Sequence, residues 1–173
     1  MKVIAFAASS SQQSINKQLA TYAAGLVSNA EVEVLDLNDY ELPLFSVERE
    51  AALGQPDLAK AFSQKLASAD AIIVSYAEHN GTYTAAYKNL FDWVSRIDRA
   101  VFHNKPTVLL ATSPGPGGAK NVLAQALASA TYFAADVKAS VSVASFFDHF
   151  DAATQTVTNK DIALQIQQAV SHF

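Results

Sequence analysis

The stretch 76–93 reads Tyr-Ala-Glu-His-Asn-Gly-Thr-Tyr-Thr-Ala-Ala-Tyr-Lys-Asn-Leu-Phe-Asp-Trp and joins two different sequence patterns. The five residues before it, 71–75 (Ala-Ile-Ile-Val-Ser), form an unbroken apolar run, typical of a central parallel strand covered on both faces. In the second half of the stretch 76–93 and just after it, apolar residues recur at helical spacing: Tyr83, Tyr87, Leu90 and Val94. The polar segment 78–82 is therefore predicted to be the turn between a strand and a helix, where open parallel sheets bind ligands.

This motif resembles the second signature of the NAD(P)H-dependent FMN reductases, a flavodoxin-like family that includes bacterial quinone and chromate reductases. The family segment reads roughly Pro-Glu-Tyr-Asn-x-Ser/Thr-x-Pro-x-x-Leu-Lys-Asn-x-x-Asp-Trp. Matching residues stand at seven positions: Glu78, Asn80, Thr82, Lys88, Asn89, Asp92 and Trp93. Ala77 and His79 depart from the motif, since they replace the usual Pro and Tyr.

Composition narrows the class of protein. The chain has 173 residues, half of them apolar, and no Pro, Gly or Ser-rich linker, so a single domain covering 1–173 is predicted. A net charge of −4 with dispersed basic residues argues against nucleic acid as a partner. No segment has the apolar length of a membrane span, and residues 1–7 are better interpreted as a first strand than as a signal peptide.

Cysteine and histidine give further limits on the chemistry. The chain has no cysteine, which excludes disulfides and thiolate chemistry and fits a cytoplasmic protein. The four histidines show no metal-ligand spacing, so no metal site is predicted.

Strand-like and helix-like patterns alternate along the whole chain. Strands are predicted at 2–7, 31–35, 71–75, 107–111 and 139–143. Helices are predicted from Ile15 to Leu26, at 57–69, 85–96 and 119–133, and from Ile162 to Phe173. Residues 36–55 have no sustained period and are predicted to be a long ordered loop that covers part of the protein. The expected α/β fold is a flavodoxin-like three-layer sandwich: a five-stranded parallel sheet of order 2-1-3-4-5 with helices on both faces.

The first of three loops at one sheet edge, residues 8–16, is rich in hydroxyl groups. It precedes a helix N-terminus, where free N–H groups and the helix dipole favour an anion. It resembles the family phosphate loop Gly-Ser-x-Arg-x-x-Ser-x-Asn, with Ala8 in place of Gly and Ser11 in place of Arg. Ser9, Ser14 and Asn16 match the family motif, and the resemblance implies that they bind the cofactor. Ser11 and Ile15 are predicted to bind it as well, and without the arginine the site would rely on neutral donors, the helix dipole and Lys17. The missing arginine predicts weaker FMN retention; alternatively, Ser10 or Ser11 merely caps a helix.

The second and third loops complete the predicted site. By resemblance, the second loop holds the flavin ring through Ala77, Glu78, His79, Asn80 and Gly81, and Tyr76 at its start is a further cofactor-binding candidate. Asn80 is the most direct side-chain candidate, whereas His79 is either a ring contact or an exposed loop histidine. The third loop, Ser113-Pro-Gly-Pro-Gly-Gly118, allows close backbone approach, and its cofactor-binding candidates are Ser113, Pro114, Gly115, Gly117 and Gly118. It matches neither the phosphate-binding loop of nucleotide hydrolases nor the dinucleotide fingerprint.

The helix after the second loop raises alternatives of its own. Lys88 and Asp92 are four residues apart and are predicted to pair on the helix surface. Phe91 and Trp93 are predicted to be core or subunit-interface residues. With Tyr87, this aromatic helix could supply the interface of the homodimer or homotetramer that the resemblance implies.

The resemblance implies an FMN-dependent oxidoreductase that takes electrons from NADPH or NADH and passes them to a small-molecule acceptor, such as a quinone, a flavin, an azo compound or a metal ion. No acid–base pair or triad stands out, so no catalytic side chain is predicted. Two alternatives stay open: an electron carrier without nicotinamide turnover, and a protein that has lost flavin binding.

Overall fold

The computed structural model describes residues 1–173 and contains one central sheet with two short hairpins. The strands are β1 Lys2–Ala8, β2 Glu31–Leu35, β3 Ala71–Tyr76, β4 Glu78–His79, β5 Thr82–Tyr83, β6 Pro106–Thr112, β7 Asp136–Val143, β8 Phe150–Asp151 and β9 Thr156–Val157. The α-helices are α1 Ile15–Gly25, α2 Val47–Leu53, α3 Asp57–Ala67, α4 Ala85–Ile97, α5 Lys120–Ala130, α6 Phe146–His149 and α7 Lys160–Val170.

The central sheet has five parallel strands in the order β2-β1-β3-β6-β7, which confirms the predicted 2-1-3-4-5 topology. Its register brings the ends of three strands together, because Ala8 lies beside Tyr76 and Tyr76 lies beside Ala111. The loops that follow β1, β3 and β6 therefore leave the sheet as neighbours at its carboxyl edge.

Two apolar cores lie on opposite faces of this sheet, and successive strand residues alternate between them. Ile4 and Phe6 pack into the core under α3, α4 and α5, whereas Val3 and Ala5 pack under α1 and α7. Burying one such Val, Ile or Phe side chain stabilises the fold by about 1.5–3 kcal/mol. The helices are fixed on both faces, so the loops at the carboxyl edge rest on a rigid base.

The segment 36–55 differs from the predicted loop. It contains a 3₁₀ turn, Leu37–Tyr40, and the helix α2, which begins after the N-cap Ser46. Helix α2 buries no residue, so it has no apolar stripe that the sequence could reveal. The preceding stretch does cover α4, as expected of an ordered loop: the Asn89 amide and the Trp93 indole N–H both donate to the carbonyl of Pro43, at 3.2 and 2.8 Å.

The later elements differ in length or number from those that the sequence predicts. Helix α5 is shorter than the predicted 119–133, because residues 131–133 form a 3₁₀ turn. Strand β7 begins three residues before the predicted 139–143. These residues gave no apolar run, because Asp136 and Lys138 are polar and only the end of the strand is buried. Helix α6 and the β8–β9 hairpin are too short for a periodic signal. None of the helices combines the length and apolar character needed to cross a lipid bilayer.

Helix α4 matches the predictions made for it. Trp93 is fully buried, which confirms it as a core residue. Phe91 is partly buried and packs edge-on against Phe133 with ring centroids 4.6 Å apart, at the border of the core. The ammonium of Lys88 lies 2.7 and 2.8 Å from the two carboxylate oxygens of Asp92, which confirms the surface pair. Tyr87 and Trp93 are enclosed within this chain, so neither offers the surface for a subunit interface that the sequence suggested.

Candidate functional site

A pocket of about 240 Å³ opens where the loops after β1, β3 and β6 meet. It is lined by 12 residues, and all except Gln13 and Thr112 are among the predicted site residues. The predicted residues that line it are Ser9, Ser11, Ser14, Ile15, Asn16, Ala77, Glu78, His79, Ser113 and Pro114. Gln13 was not predicted, because only its position in the loop, between Ser11 and Ser14, links it to the site.

Six predicted residues do not line this pocket: Tyr76, Asn80, Gly81, Gly115, Gly117 and Gly118. Tyr76 ends β3 and is buried beneath the second loop, where it lines a different cavity. Asn80 and Gly81 form the tip of the β4–β5 hairpin. The three glycines lie further along the third loop, which they shape from behind the pocket.

The first loop offers several unused hydrogen-bond donors. The backbone N–H groups of Gln12, Gln13, Ile15 and Asn16 have no acceptor within the protein. The last two belong to the first turn of α1, where N–H groups have no intrahelical partner and the helix dipole is positive. Such a set of donors is suited to an anion such as a phosphate group.

The serine hydroxyls of this loop stabilise its backbone. Ser9 Oγ accepts from the Ser11 N–H at 3.2 Å, and Ser14 Oγ accepts from the Lys17 N–H at 3.1 Å. Ser14 is therefore the N-cap of α1, and the expectation that Ser10 or Ser11 caps the helix is wrong. Both Ser9 and Ser14 are 7% exposed, so their hydroxyls are held in place at the edge of the pocket.

Positive side chains are missing from this pocket. Lys17, the expected assistant, pairs instead with Asp36, whose carboxylate oxygen is 2.5 Å from its ammonium. The hydrogen bond from Lys17 lowers the pKa of Asp36, although partial burial opposes this effect. No arginine lines the pocket, so an anion would be held by neutral donors and the α1 dipole.

Asn16 holds the base of the pocket together. Its Nδ2 donates to the carbonyl of Thr112 at 3.1 Å. Its Oδ1 accepts from the Ser75 hydroxyl at 2.7 Å and from the Thr112 N–H at 3.1 Å. The side chain is 2% exposed and ties α1 to the ends of β3 and β6. Its backbone N–H is the group that it leaves open towards the pocket.

The second loop is a hairpin rather than the plain turn predicted for 78–82. Glu78 pairs with Tyr83 and His79 with Thr82, around a two-residue turn at Asn80-Gly81. Both turn residues have positive φ, 52° and 81°, as a type I′ turn requires. The Asn-Gly dipeptide is the sequence signal for this hairpin. Its strands, β4 and β5, are too short to show an alternating apolar pattern, so only a turn was predicted.

Side chains fasten this hairpin to α5. Glu78 Oε2 accepts from the Val122 N–H at 2.9 Å, and Glu78 Oε1 accepts from Asn121 Nδ2 at 3.3 Å. The carboxylate thus satisfies the first turn of α5, where a negative charge is stabilised by the helix dipole. Further along, Thr82 Oγ1 donates to Gln125 Oε1 at 2.8 Å. The second loop and the helix after the third loop therefore form one unit.

Glu78 and His79 are the only ionisable side chains that line the pocket. Glu78 is engaged with α5, and His79 is exposed at the rim. The pocket contains no pair of groups arranged for proton transfer, and the structure contains no cluster of three or more metal-ligating side chains. This arrangement can bind and orient a ligand.

The third loop is fixed by the segment that precedes α6. The N–H groups of Ser145 and Phe146 donate to the carbonyls of Gly115 and Ser113, at 2.9 and 3.1 Å. Gly118 has φ +60°, and a Cβ there would lie 2.5 Å from Ser142 Oγ. Only glycine fits this position, because both the backbone conformation and the available space exclude a larger residue.

Comparison with known proteins gives one consistent result. The family model described as NADPH-dependent FMN reductase matches residues 1–149. The chain is 30% identical over 173 residues to an NAD(P)H-dependent FMN reductase of Pseudomonas aeruginosa, covering 97% of this chain and 91% of that protein. It is 32% identical over 120 residues to a 2-hydroxy-1,4-benzoquinone reductase of a Burkholderia species, covering 68% of this chain and 63% of the relative, less than two thirds of its length.

Among solved structures, the fold is similar to that of a flavoenzyme NAD(P)H:(acceptor) oxidoreductase from Paracoccus denitrificans. The TM-score is 0.78 at 22% identity, covering 99% of this chain and 93% of that one. At this level of identity the likeness shows a shared flavodoxin-like fold.

Proposed function

This chain belongs to the NADPH-dependent FMN reductase family, and on that premise we propose that it acts as a single FMN-binding domain, residues 1–173. It transfers electrons from NADPH or NADH through FMN to a small-molecule acceptor. A quinone is the favoured acceptor class, because one of its relatives is a benzoquinone reductase.

The observation that carries this proposal is the set of open N–H groups at Gln12, Gln13, Ile15 and Asn16. Gln13, Ile15 and Asn16 line the pocket, and Gln12 is adjacent to them in the loop. The pocket has no carboxylate free to repel an anion, because Glu78 is turned to the N-terminus of α5. The FMN phosphate fits such a site, since backbone donors and a helix dipole suit an anion even without an arginine. Retention of FMN is correspondingly weaker than with a charge-assisted contact.

The flavin ring would lie along residues 77–79 and 113–114, which line the opposite side of the pocket. Ala77 and Pro114 allow a flat ligand to approach closely because neither carries a long side chain. His79 is exposed at the rim, where its imidazole can lie against the edge of the ring. The fastening of Glu78 to α5 keeps this surface in place before the ligand arrives.

Bound FMN would supply the redox chemistry, accepting electrons from the reduced nicotinamide and giving them to the acceptor. The first loop would bind the phosphate, and the second and third loops would orient the ring.

The test is anaerobic turnover by purified FMN-loaded protein. NADPH or NADH is added first, then 1,4-benzoquinone, and flavin absorbance is followed against free FMN at the same concentration. We expect loss of the flavin absorbance faster than in the protein-free sample, followed by its recovery on addition of the quinone. Binding of FMN without reduction by either nicotinamide would contradict the reductase and favour an electron carrier. Failure to bind FMN would contradict both.

The predicted homodimer or homotetramer remains part of the proposal, but with an interface on and beside α2 instead of on α4. Leu44 and Val47 are each 69% exposed and Leu53 is 59% exposed, on and beside α2, which buries no residue. A second copy would cover this apolar surface. We expect sedimentation at micromolar concentration to show a dimer or tetramer that Val47→Asp dissociates. A wild-type monomer would contradict this part of the proposal.

The cytoplasm remains the proposed location.

A further inference from the structure

A second cavity of about 240 Å³ lies between α4, α5 and the sheet, and no residue lines both it and the loop pocket. Of its 14 lining residues, 10 are hydrophobic. Leu109 and Ala126 form parts of its buried wall, and the rings of Phe91 and Phe133 add aromatic surface. An apolar cavity of about 150 Å³ in a protein accommodates benzene, so this cavity has room for a single aromatic ring.

Three tyrosines give this apolar cavity a polar end. Tyr76 and Tyr87 are 2% and 4% exposed, with ring centroids 5.5 Å apart, and Tyr83 lies within 5.7 Å of both. Burial raises the pKa of the Tyr76 and Tyr87 hydroxyls well above their ordinary value. Both groups are therefore neutral at physiological pH.

The tyrosine hydroxyls are open to the cavity. The Tyr76 and Tyr87 hydroxyls lie close enough to interact with each other, and the Tyr83 hydroxyl lies close to that of Ser129. Because a hydroxyl can both donate and accept, each keeps hydrogen-bonding capacity for a ligand. The unpartnered side-chain atoms that protein fully encloses are elsewhere, at Gln18 and His103. The tyrosine hydroxyls can thus donate to, or accept from, a polar group that enters the cavity.

We propose that this cavity is a binding site for a neutral, single-ring phenol. The ring would pack against the apolar wall, and its hydroxyl would bond to Tyr76 and Tyr87. An anionic aromatic is disfavoured, because the only charges among the lining residues are Lys88 and Asp92, which neutralise each other. The proposal is independent of FMN binding and holds for the protein with or without cofactor.

The probe is 4-fluorophenol, whose fluorine NMR signal is followed as protein is added, with 4-fluorobenzoate as the charged control. We expect a saturable shift for the phenol, competition by unlabelled phenol, and no saturable shift for the benzoate. Ala126→Leu places a larger side chain in the cavity and is expected to weaken binding about tenfold or more. Tyr87→Phe removes one neutral hydrogen bond and is expected to weaken it about threefold to tenfold.

The matched control is Tyr132→Phe, at a position 66% exposed and outside the cavity, which should bind the phenol like the unaltered protein. Circular dichroism checks the fold of each variant. If Ala126→Leu does not fold, the proposal is tested by comparing the phenol affinities of Tyr87→Phe and Tyr132→Phe. A shift that does not saturate, or equal binding by Tyr87→Phe and Tyr132→Phe, would overturn the proposal.

Discussion

The first and second loops of the pocket hold their shapes in opposite ways. The first loop, 9–14, is braced by its own serines and leaves backbone N–H groups open. The second loop, 77–81, turns as a hairpin and is fastened to α5 through Glu78. In the first loop, therefore, backbone N–H groups are available to bind a ligand. In the second loop, side-chain contacts hold the ligand-facing surface in place. Side-chain substitutions should disturb the second loop more than the first.

The largest effect is expected from Glu78→Ala. The variant leaves the Val122 N–H without its partner and releases the hairpin from α5, so unfolding free energy should fall by about 1–2 kcal/mol. A loosened ring surface should weaken FMN binding about tenfold to thirtyfold. Fluorescence titration and thermal unfolding measure the two effects. Glu31→Ala, at an exposed residue on the edge strand β2, is the control and should change neither. Unchanged FMN affinity in Glu78→Ala would contradict the claim that side-chain contacts hold the second loop in its binding shape.

Ser11→Arg sharpens the comparison from the other side, because it adds to the first loop the charge that the family motif carries. A guanidinium beside the phosphate should tighten FMN binding about tenfold, or about 1.4 kcal/mol. Ser10→Arg adds the same charge at a residue that lines the adjacent groove instead of the pocket, so it should produce a smaller gain. Equal gains in the two variants would mean that general charge, rather than a phosphate contact, sets the affinity.

Ser14→Ala tests the cap of α1 against an equivalent cap far from the pocket. Ser46 caps α2 in the same way, by accepting from the Arg49 N–H at 3.2 Å. Removing either cap should lower stability by about 1 kcal/mol or less. Only Ser14→Ala should also weaken FMN binding, by about threefold to fivefold, since it alone supports the open donors of the first loop. A similar loss of affinity in Ser46→Ala would show that the effect is a general consequence of instability.

The smallest effect concerns pH. The pKa of Asp36 is lowered below its usual value of 3.8 by Lys17, so the pair stabilises the folded state above pH 3.8. This contribution is lost as pH falls through the lowered pKa, and for a partly exposed pair it amounts to about 0.5–1 kcal/mol. Asp36→Asn should thus lower the melting temperature at pH 7 and have less effect at pH 3. An equal effect at both pH values would show that the charge is not responsible.

The sequence predicts the sheet well because buried strands are apolar runs. Residues 71–75 and 107–111 lie within β3 and β6, and the topology follows from the alternation of strands and helices. Helix α2 could not be predicted in this way, because a helix with no buried face leaves no periodic stripe.

The site shows the same limit at the level of single residues. The three loops could be placed together because they follow neighbouring strands. The bonds of Asn16 to Ser75 and Thr112 could not, since they join residues 59 and 96 positions apart. The binding of Glu78 to α5 likewise depends on how closely the hairpin approaches that helix. The Asn80-Gly81 turn, by contrast, has a signal in the sequence, because Asn-Gly is a preferred dipeptide of the type I′ hairpin turn.

The most direct test of the account is a comparison of FMN and riboflavin binding to the protein by fluorescence titration. The two ligands share the ring and differ by the phosphate, which the open N–H groups of the first loop are expected to hold. FMN should bind at least about tenfold more tightly than riboflavin, as expected for hydrogen bonds to a charged group. Equal affinity for the two ligands would contradict the assignment of the first loop as the phosphate site.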